Sequence, residues 1–519
     1  MARPGLGTVL ILGIDLGTTY SAVATIGPDG RPFVLRNQVG EPTTPSVVHF
    51  ESSSAVLVGS SAVHAGTVDP DNTVSLIKRQ MGNDFDLEFH GVRHTPESIS
   101  ALILRALVDT DEPVRAVITV PAYFGIRERE ATAQAARLAG IEVLELLSEP
   151  VAAALHYGTS ELTGSGGTVL VYDLGGGTFD TTVLKVQPMG VSVIATDGDS
   201  KLGGADWDSR IAEYLTECFV EAVPDVDPFD DEMFPHVVQT AAESTKRALS
   251  TTESRPVVLR ACGARVTVTF NRQILEELGA DLVDRTMSIV RRVTHNAAKY
   301  GAIDIRHAIL VGGSSKMPAI AKAVAETLDV TPRVVEPDLA VVLGAAIRAN
   351  QLTNAQSLRQ AGGMLAAIAD KPTTSVVPRS FGILIHDSYD PVATRQIVVH
   401  AVHQNQPLPA SASVSFCTIA EGRDRVRIQV YEQAGDLPSE EVEHNRRVLD
   451  GELTDLPALR AGSRIEIALR VSADGLLSVT AREPSSGARL DLQAYVDGVV
   501  DSAAADDLSS TLAGIAVRQ

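Results

Sequence analysis

Apolar residues come in short runs along the first two thirds of the chain, each closed by an acid, a proline or glycines. Leu10-Ile11-Leu12-Gly13-Ile14 ends at Asp15, and Ala116-Val117-Ile118-Thr119-Val120 ends at Pro121. Val169-Leu170-Val171-Tyr172 ends at Asp173, and Ala308-Ile309-Leu310-Val311 runs into Gly312-Gly313-Ser314-Ser315. Runs this short with such stops predict buried strands. Between them the period lengthens. Ala131, Ala135 and Leu138 share one helical face with Gly140 as the stop, and Ser148-Glu149-Pro150 opens another helix, because proline suits a first helical position. Such alternation predicts an α/β domain with mixed sheets. From Gln351 to Pro378 the pattern weakens, and Ala361-Gly362-Gly363 with Lys371-Pro372-Thr373-Thr374 predicts a connector. After Arg379 the period falls to two, as in Val426-Arg427-Ile428-Gln429-Val430 and Ile465-Glu466-Ile467-Ala468-Leu469, and Asp474-Gly475 predicts a tight turn into Leu477–Ala481. The second domain is therefore expected to be an all-β sandwich. The expected layout is an α/β domain over 1–355, a connector over 356–378, the β-domain over 379–498, and a tail over 499–519 that forms one helical turn or frays.

A length of 519 residues exceeds what one core supports, in agreement with at least two domains. The net charge of −21 argues against nucleic acid or an anionic membrane as partner, since both need clustered Lys and Arg. It leaves a small anionic ligand open, because a local field can oppose the global one. No apolar run approaches the length of a membrane span. Cys218, Cys262 and Cys417 are far apart and lack metal-ligand spacing, so they read as free buried thiols in a reducing, cytoplasmic compartment.

One device occurs twice. Asp15-Leu16-Gly17-Thr18-Thr19-Tyr20 and Asp173-Leu174-Gly175-Gly176-Gly177-Thr178-Phe179-Asp180 each follow an apolar strand and lead into another, 158 residues apart. Glycine lets backbone N–H groups approach a phosphate closely. Gly17 and Gly175 to Gly177 can do so here, with hydroxyls from Thr18, Thr19 and Thr178. Asp15 and Asp173 would hold Mg²⁺ through waters, since that ion keeps much of its hydration shell. Two such tips could close on a metal-bound polyphosphate, whereas a single Asp-x-Gly-Thr turn is ordinary hairpin chemistry. No Gly-Lys-Ser/Thr follows, so this is not a Walker loop. Glu243, Lys246, Arg247 and Ser250 share one helix face, read either as a contact to the base or as a solvated face with an internal ion pair. Gly312-Gly313 could approach the adenosine from the other side.

These segments, with Asn72–Arg79, Val117–Phe124, Ser148–Ala154, Lys201–Asp206, Leu310–Ser315 and Glu336-Pro337-Asp338, stand in one order over about 350 residues. The chain in this respect resembles the DnaK-type seventy-kilodalton heat-shock chaperones. That resemblance implies a two-lobed, actin-like ATPase domain followed by a β-sandwich that binds extended apolar peptide segments of unfolded proteins. It implies ATP and ADP with Mg²⁺ as cofactors, together with a co-chaperone and a nucleotide-exchange factor as partners. It places Lys78 near the γ-phosphate, where it orients the attacking water. Glu149 and Thr178 help position water and phosphate, with Asp173 and Asp180 nearby. Tyr20, Gly203, Gly204, Ser314, Lys316 and Asp338 fall among the nucleotide contacts, and Pro121 couples the nucleotide state to the interlobe surface. Phosphoryl transfer of this kind needs positioning and charge stabilisation rather than a covalent nucleophile.

The chain also departs from that pattern. Lys316 stands where the family commonly has an arginine that stacks on adenine, and lysine has no planar group to stack. The segment between Gly82 and Pro113 is shorter than usual, and the connector only loosely resembles the family's acidic, leucine-rich linker. No helical lid pattern follows the sandwich, so peptide release is expected to be fast. Val426 and Ile428 are read either as walls for an apolar peptide side chain or as ordinary sandwich core. Two other functions stay open: a scaffold whose β-domain binds one dedicated partner under ATP control, and a small-molecule kinase of the same superfold.

Overall fold

The computed structural model describes residues 9–160, 167–187, 190–302, 304–360, 373–387, 389–390, 395–422, 424–435, 438–472, 475, 477–493, 512 and 514–519. The middle of the predicted connector (361–372), the end of the predicted β-domain (494–498), most of the predicted tail (499–511) and Asp474 of the predicted turn lie outside the described residues.

Two large sheets with the same plan form the centres of the two lobes of the α/β domain, beside smaller sheets. In the first, strands Ile141–Ser148, Val114–Val120, Leu10–Asp15, Tyr20–Ile26 and Pro32–Leu35 lie side by side in that order. In the second, the order is Arg333–Val334, Ile305–Val311, Gly167–Leu174, Phe179–Gln187 and Gly190–Asp199. Each contains an antiparallel hairpin whose first strand runs parallel to a neighbour on its other side. Strands covered on both faces need apolar residues at successive positions, and Val169 through Asp173 are all buried. The predicted strands, the helix Ile126–Leu138 and the helix opening at Glu149 all form.

Helices Glu149–Ser160 and Ala340–Gln360 cross between the two sheets, and Val117, Val151, Val169, Ile309 and Ala345 share one core there. The crossing depends on small residues: a Cβ at Gly344 would stand 1.8 Å from the carbonyl oxygen of Ala152. The second of these helices continues to Gln360, into the stretch read as connector. Its apolar period fades there, yet Gln, Ala, Leu and Arg keep enough helix propensity to extend the ladder.

The β-domain is a sandwich of two four-stranded antiparallel sheets. One contains Gln396–Val402, Phe381–His386, Val426–Gln433 and Asn445–Leu453; the other contains Ala410–Cys417, Arg464–Val471, Leu477–Arg482 and Arg489–Gln493. Strict alternation buries Ile465, Ile467, Leu469 and Val471 against Phe381, Ile383 and Val430.

Three expectations need correction. Thr373–Thr374, placed in the connector, pairs parallel with Val191-Ser192 and extends the second lobe's sheet. The tail contains a strand, Ala516–Arg518, that pairs parallel with Ala55–Val58 of the first lobe. Three paired residues are too few to display an alternating pattern. The cysteines are free but not buried: Cys218 is half-buried, while Cys262, in a hairpin turn, and Cys417, at a strand end, are exposed.

The sandwich seats against both lobes. Glu432 accepts a hydrogen bond from the first-turn N–H of Ile126 at 3.3 Å, and Arg446 reaches Glu128 at 2.9 Å. Arg379 donates to the carbonyl oxygen of Tyr123, two residues after Pro121. On the other lobe, the N–H of Thr196 donates to Asn405 Oδ1 at 2.8 Å.

Candidate functional site

The two repeated hairpin tips face each other across the gap between the lobes. A Cβ at Gly176 would fall 1.6 Å from Thr19 Oγ1, and one at Gly177 would fall 2.3 Å from Thr18 Cγ2. Only residues without a side chain at these points let the tips approach so closely. The second tip is braced from below. Gly204 N donates to Gly175 O and Ala205 N to Gly176 O, which sets the start of helix Gly204–Ala222 directly beneath the loop. A helix N-terminus carries partial positive charge, and at this place it favours an anion above the loop. Gly203 packs so tightly on Gly177 that a Cβ would meet its backbone at 2.6 Å.

Below the tips lies a buried charge cluster. Lys78 Nζ donates to Glu149 Oε1 at 2.7 Å, and both residues are under a tenth exposed. Asp15, Asp173 and Asp180 are the other acids of this cluster. Burial first, and then the charge of Glu149, pushes Asp15 up to about 6, although Lys78 and a 2.7 Å hydrogen bond from Thr119 oppose the shift. Burial and Glu149 likewise raise Asp173 and Asp180 well above the ordinary carboxylate range. Burial works against the charge on Lys78, but Glu149, Asp15 and Asp180 outweigh it and raise its pKa. Four acids crowd one ammonium, and a bound cation would relieve the crowding that raises their pKa values.

Thr19 Oγ1 and Asp180 Oδ1 are buried with no hydrogen-bond partner among the described residues. These are atoms that a phosphate oxygen and a metal-bound water could satisfy. Among the described residues no three His, Cys, Asp or Glu side chains converge closely enough to hold a bare ion. The donor set therefore fits an ion that keeps its waters.

The helix face predicted to meet a base is divided in two. Lys246 is buried and committed, donating to Asp208 Oδ2 and Gly204 O at 2.7 Å each. Arg247 is exposed and reaches across the gap to Tyr20 of the first lobe, whose hydroxyl accepts its N–H at 2.9 Å. Glu243 pairs with Arg247 at 3.6 Å, and Ser250 caps the helix Phe234–Leu249. Opposite this face, Gly312 has φ of +83°, and a Cβ there would stand 2.5 Å from Asp173 Oδ1. Gly313 lies beside Asp338, Ser314 lies against Gly204, and Lys316 forms an ion pair with Asp338. Contacts between Tyr20 and Arg247, Thr19 and Gly176, and Gly312 and Asp173 bring predicted residues of both lobes together, while Lys246 is buried beneath them.

Val426 and Ile428 lie elsewhere. Ile428 is 3% exposed in the sandwich core, and Val426 packs half-buried against the same core. This placement matches the core alternative for Ile428.

Residues without an assigned role also shape the gap. Arg79 donates to Gly177 O at 2.8 Å and to Asp206 at 3.0 Å, which ties the lobes together. Its place beside Lys78 was the only hint. Thr119 reaches Asp15 because their strands run parallel and in register, a pairing that no local motif records.

The family model for the Hsp70 protein matches residues 11–512. The chain belongs to the Hsp70 family. Members of that family are in general ATP-binding chaperones and ATPases that use Mg²⁺ and bind unfolded peptides. The match spans both the two-lobed domain and the sandwich, and the strand Ala516–Arg518 lies beyond it. Among the described residues no helix is long and apolar enough to cross a membrane.

Proposed function

We propose that this Hsp70-family chain binds ATP with Mg²⁺ between its lobes, hydrolyses it, and adjusts the affinity of its β-domain for extended apolar peptides. The observation that carries this reading is the buried Lys78–Glu149 pair among Asp15, Asp173 and Asp180, beneath two facing hairpin tips. In it the Gly17 and Gly175–Gly177 backbones and the hydroxyls of Thr18, Thr19 and Thr178 hold phosphate oxygens. Asp15 and Asp173 would hold the hydrated ion, which when bound would supply neutralisation of charge on the transferred phosphoryl group. Glu149 and Lys78 position the attacking water, and Lys78 stabilises the charge that develops. Gly203 and Gly204 contact the phosphates. Glu243, Arg247, Ser250, Gly312, Gly313, Ser314 and Lys316 frame the nucleoside. Lys316, bound to Asp338 and without a plane to stack, gives a weaker grip on adenine than arginine would.

Contacts of the sandwich with Ile126, Glu128 and Thr196 support a route by which the nucleotide state reaches the β-domain. The test is release of a labelled apolar heptapeptide from the purified chain with ATP against ADP, beside phosphate release with Mg²⁺ against EDTA. Faster peptide release in ATP and metal-dependent phosphate release are expected; equal release rates remove the coupling. A second reading, one dedicated partner for the β-domain, draws on Ile428, which is packed in the core and offers no wall to a peptide. On a peptide array that reading expects almost no heptamer to be retained.

A further inference from the structure

The strand Ala55–Val58 would be a sheet edge if Ala516–Arg518 did not pair with it. Its Val56 and Val58 are fully buried, so an uncovered edge would present unpaired backbone beside apolar side chains. Residues 512–519 cover it through several independent contacts. Leu512 and Ile515 are 1% and 3% exposed and belong to the first lobe's core. Ala516 N donates to Ser54 O at 2.9 Å, and Ala516, Val517 and Arg518 stand opposite Ala55, Val56 and Leu57. Arg105 donates to the carbonyl oxygens of both Leu512 and Ile515. Arg518 pairs with Glu51. The Gln519 side chain donates to Ala106 O at 2.6 Å and accepts from Gln38 N at 3.0 Å.

We propose that this edge of the first lobe is a second peptide-binding surface, separate from the sandwich, which takes an extended segment of the pattern Leu-x-x-Ile-x-Val-Arg by strand addition. Its occupant is the chain's own 512–519 segment, bound in cis. Main-chain pairing supplies the binding, two apolar side chains supply the selectivity, and Arg105 reads the backbone rather than a side chain. The sandwich is consequently attached to the α/β domain at both of its chain ends. Eighteen residues separate Gln493 from Leu512, a reach of at most about 60 Å. This second attachment raises the effective concentration of the sandwich at its seat on the helix Ile126–Leu138. The proposal does not rest on the nucleotide reading, and its test uses no nucleotide.

Hydrogen exchange is measured at the amides of Ala55–Val58 in the full chain and in a chain ending at Thr511. Removal of 512–519 should speed exchange there at least about tenfold. A synthetic 508–519 peptide added in trans should restore protection, and the same peptide with Leu512→Asp and Ile515→Asp should not. The full-length variant Ala516→Pro, which removes the N–H given to Ser54, should show the same loss where the shortened chain yields too little folded protein. Unchanged exchange in both chains, or no protection by millimolar wild-type peptide, overturns the proposal. A full-length dimer in light scattering that truncation dissolves assigns the strand to a second copy and overturns the cis occupancy.

Discussion

The buried Lys78–Glu149 pair is informative because burial makes it expensive unless something needs it. Removing two charges from water costs several kcal/mol per ion, roughly, and an apolar pair of equal volume would stabilise the fold as well or better. Retaining them beside three more carboxylates suits a site that must accept a cation and a polyanion together. Lys78→Ala should lower the ATP turnover we propose by ~100-fold or more, while nucleotide affinity in a fluorescence titration stays within a few-fold. Unchanged turnover would exclude the lysine from the mechanism. The acids allow a prediction about pH. Asp15 titrates near pH 6 when folded, against 3.8 as its ordinary value. Between about pH 4 and 6 the folded chain therefore keeps a proton that the unfolded chain has lost, and the stability of the nucleotide-free protein falls as pH rises through this window. Mg²⁺ competes with that proton, so Mg²⁺-dependent nucleotide binding should weaken as pH falls below 6, and calorimetry at pH 5 and 7.5 checks the direction.

At the scale of elements, the sequence carries most of the site because each hairpin is local. An apolar strand, an acid, glycines and a hydroxyl suffice to specify a strand, a tip and a return strand. The helix opening at Glu149 is equally local, set by the proline at its second position. What could not be read depends on partners distant in sequence. Thr119 meets Asp15 only through the register of two parallel strands, and Arg79 meets Gly177 only when the lobes close. The strand at Ala516–Arg518 has three residues and no period of its own; its pairing is dictated by the edge at Ala55–Val58. Ile428 shows the opposite difficulty, since a period of two states that a residue faces inward but not whether a ligand or the core is inside. The crossing of the two central helices gives a prediction at this scale. Gly344 has the carbonyl of Ala152 where a Cβ would go, so Gly344→Val must push the helices apart and should destabilise the chain by about 3 kcal/mol, the upper end for overpacked cores. Urea denaturation of the α/β transition measures it, and a midpoint shift within error would mean that the helices separate freely.

At the scale of the whole molecule, the seat of the sandwich rests on a buried charge arrangement divided between domains. Glu128, in the first turn of the helix Ile126–Leu138, faces Arg446 and Arg379 of the β-domain, while Glu432 of the β-domain faces the N-terminus of that same helix. Burial raises the pKa of Glu432; for Glu128 burial is opposed and outweighed by Arg379 and Arg446, which lower it. The two acids thus share Arg446 as a common counter-charge, at 2.9 and 3.4 Å. Replacing it as Arg446→Met leaves two buried carboxylates with Arg379 as their remaining counter-charge, and loss of one partner in such a buried set costs ~3–5 kcal/mol. The β-sandwich core contains none of these charges, so that cost should fall on docking rather than on folding of the sandwich. Arg446→Met should accordingly speed amide exchange at Ile126 and leave the protection of Ile465–Val471 unaltered. Adding Glu128→Gln should recover part of the loss, because the repulsion then has one charge fewer, with a coupling of roughly 1–3 kcal/mol between the two sites. Equal exchange at Ile126 in wild type and Arg446→Met would show that the seat is held by its other contacts, those of Arg379 with Tyr123 and of Thr196 with Asn405 among them, and not by Arg446.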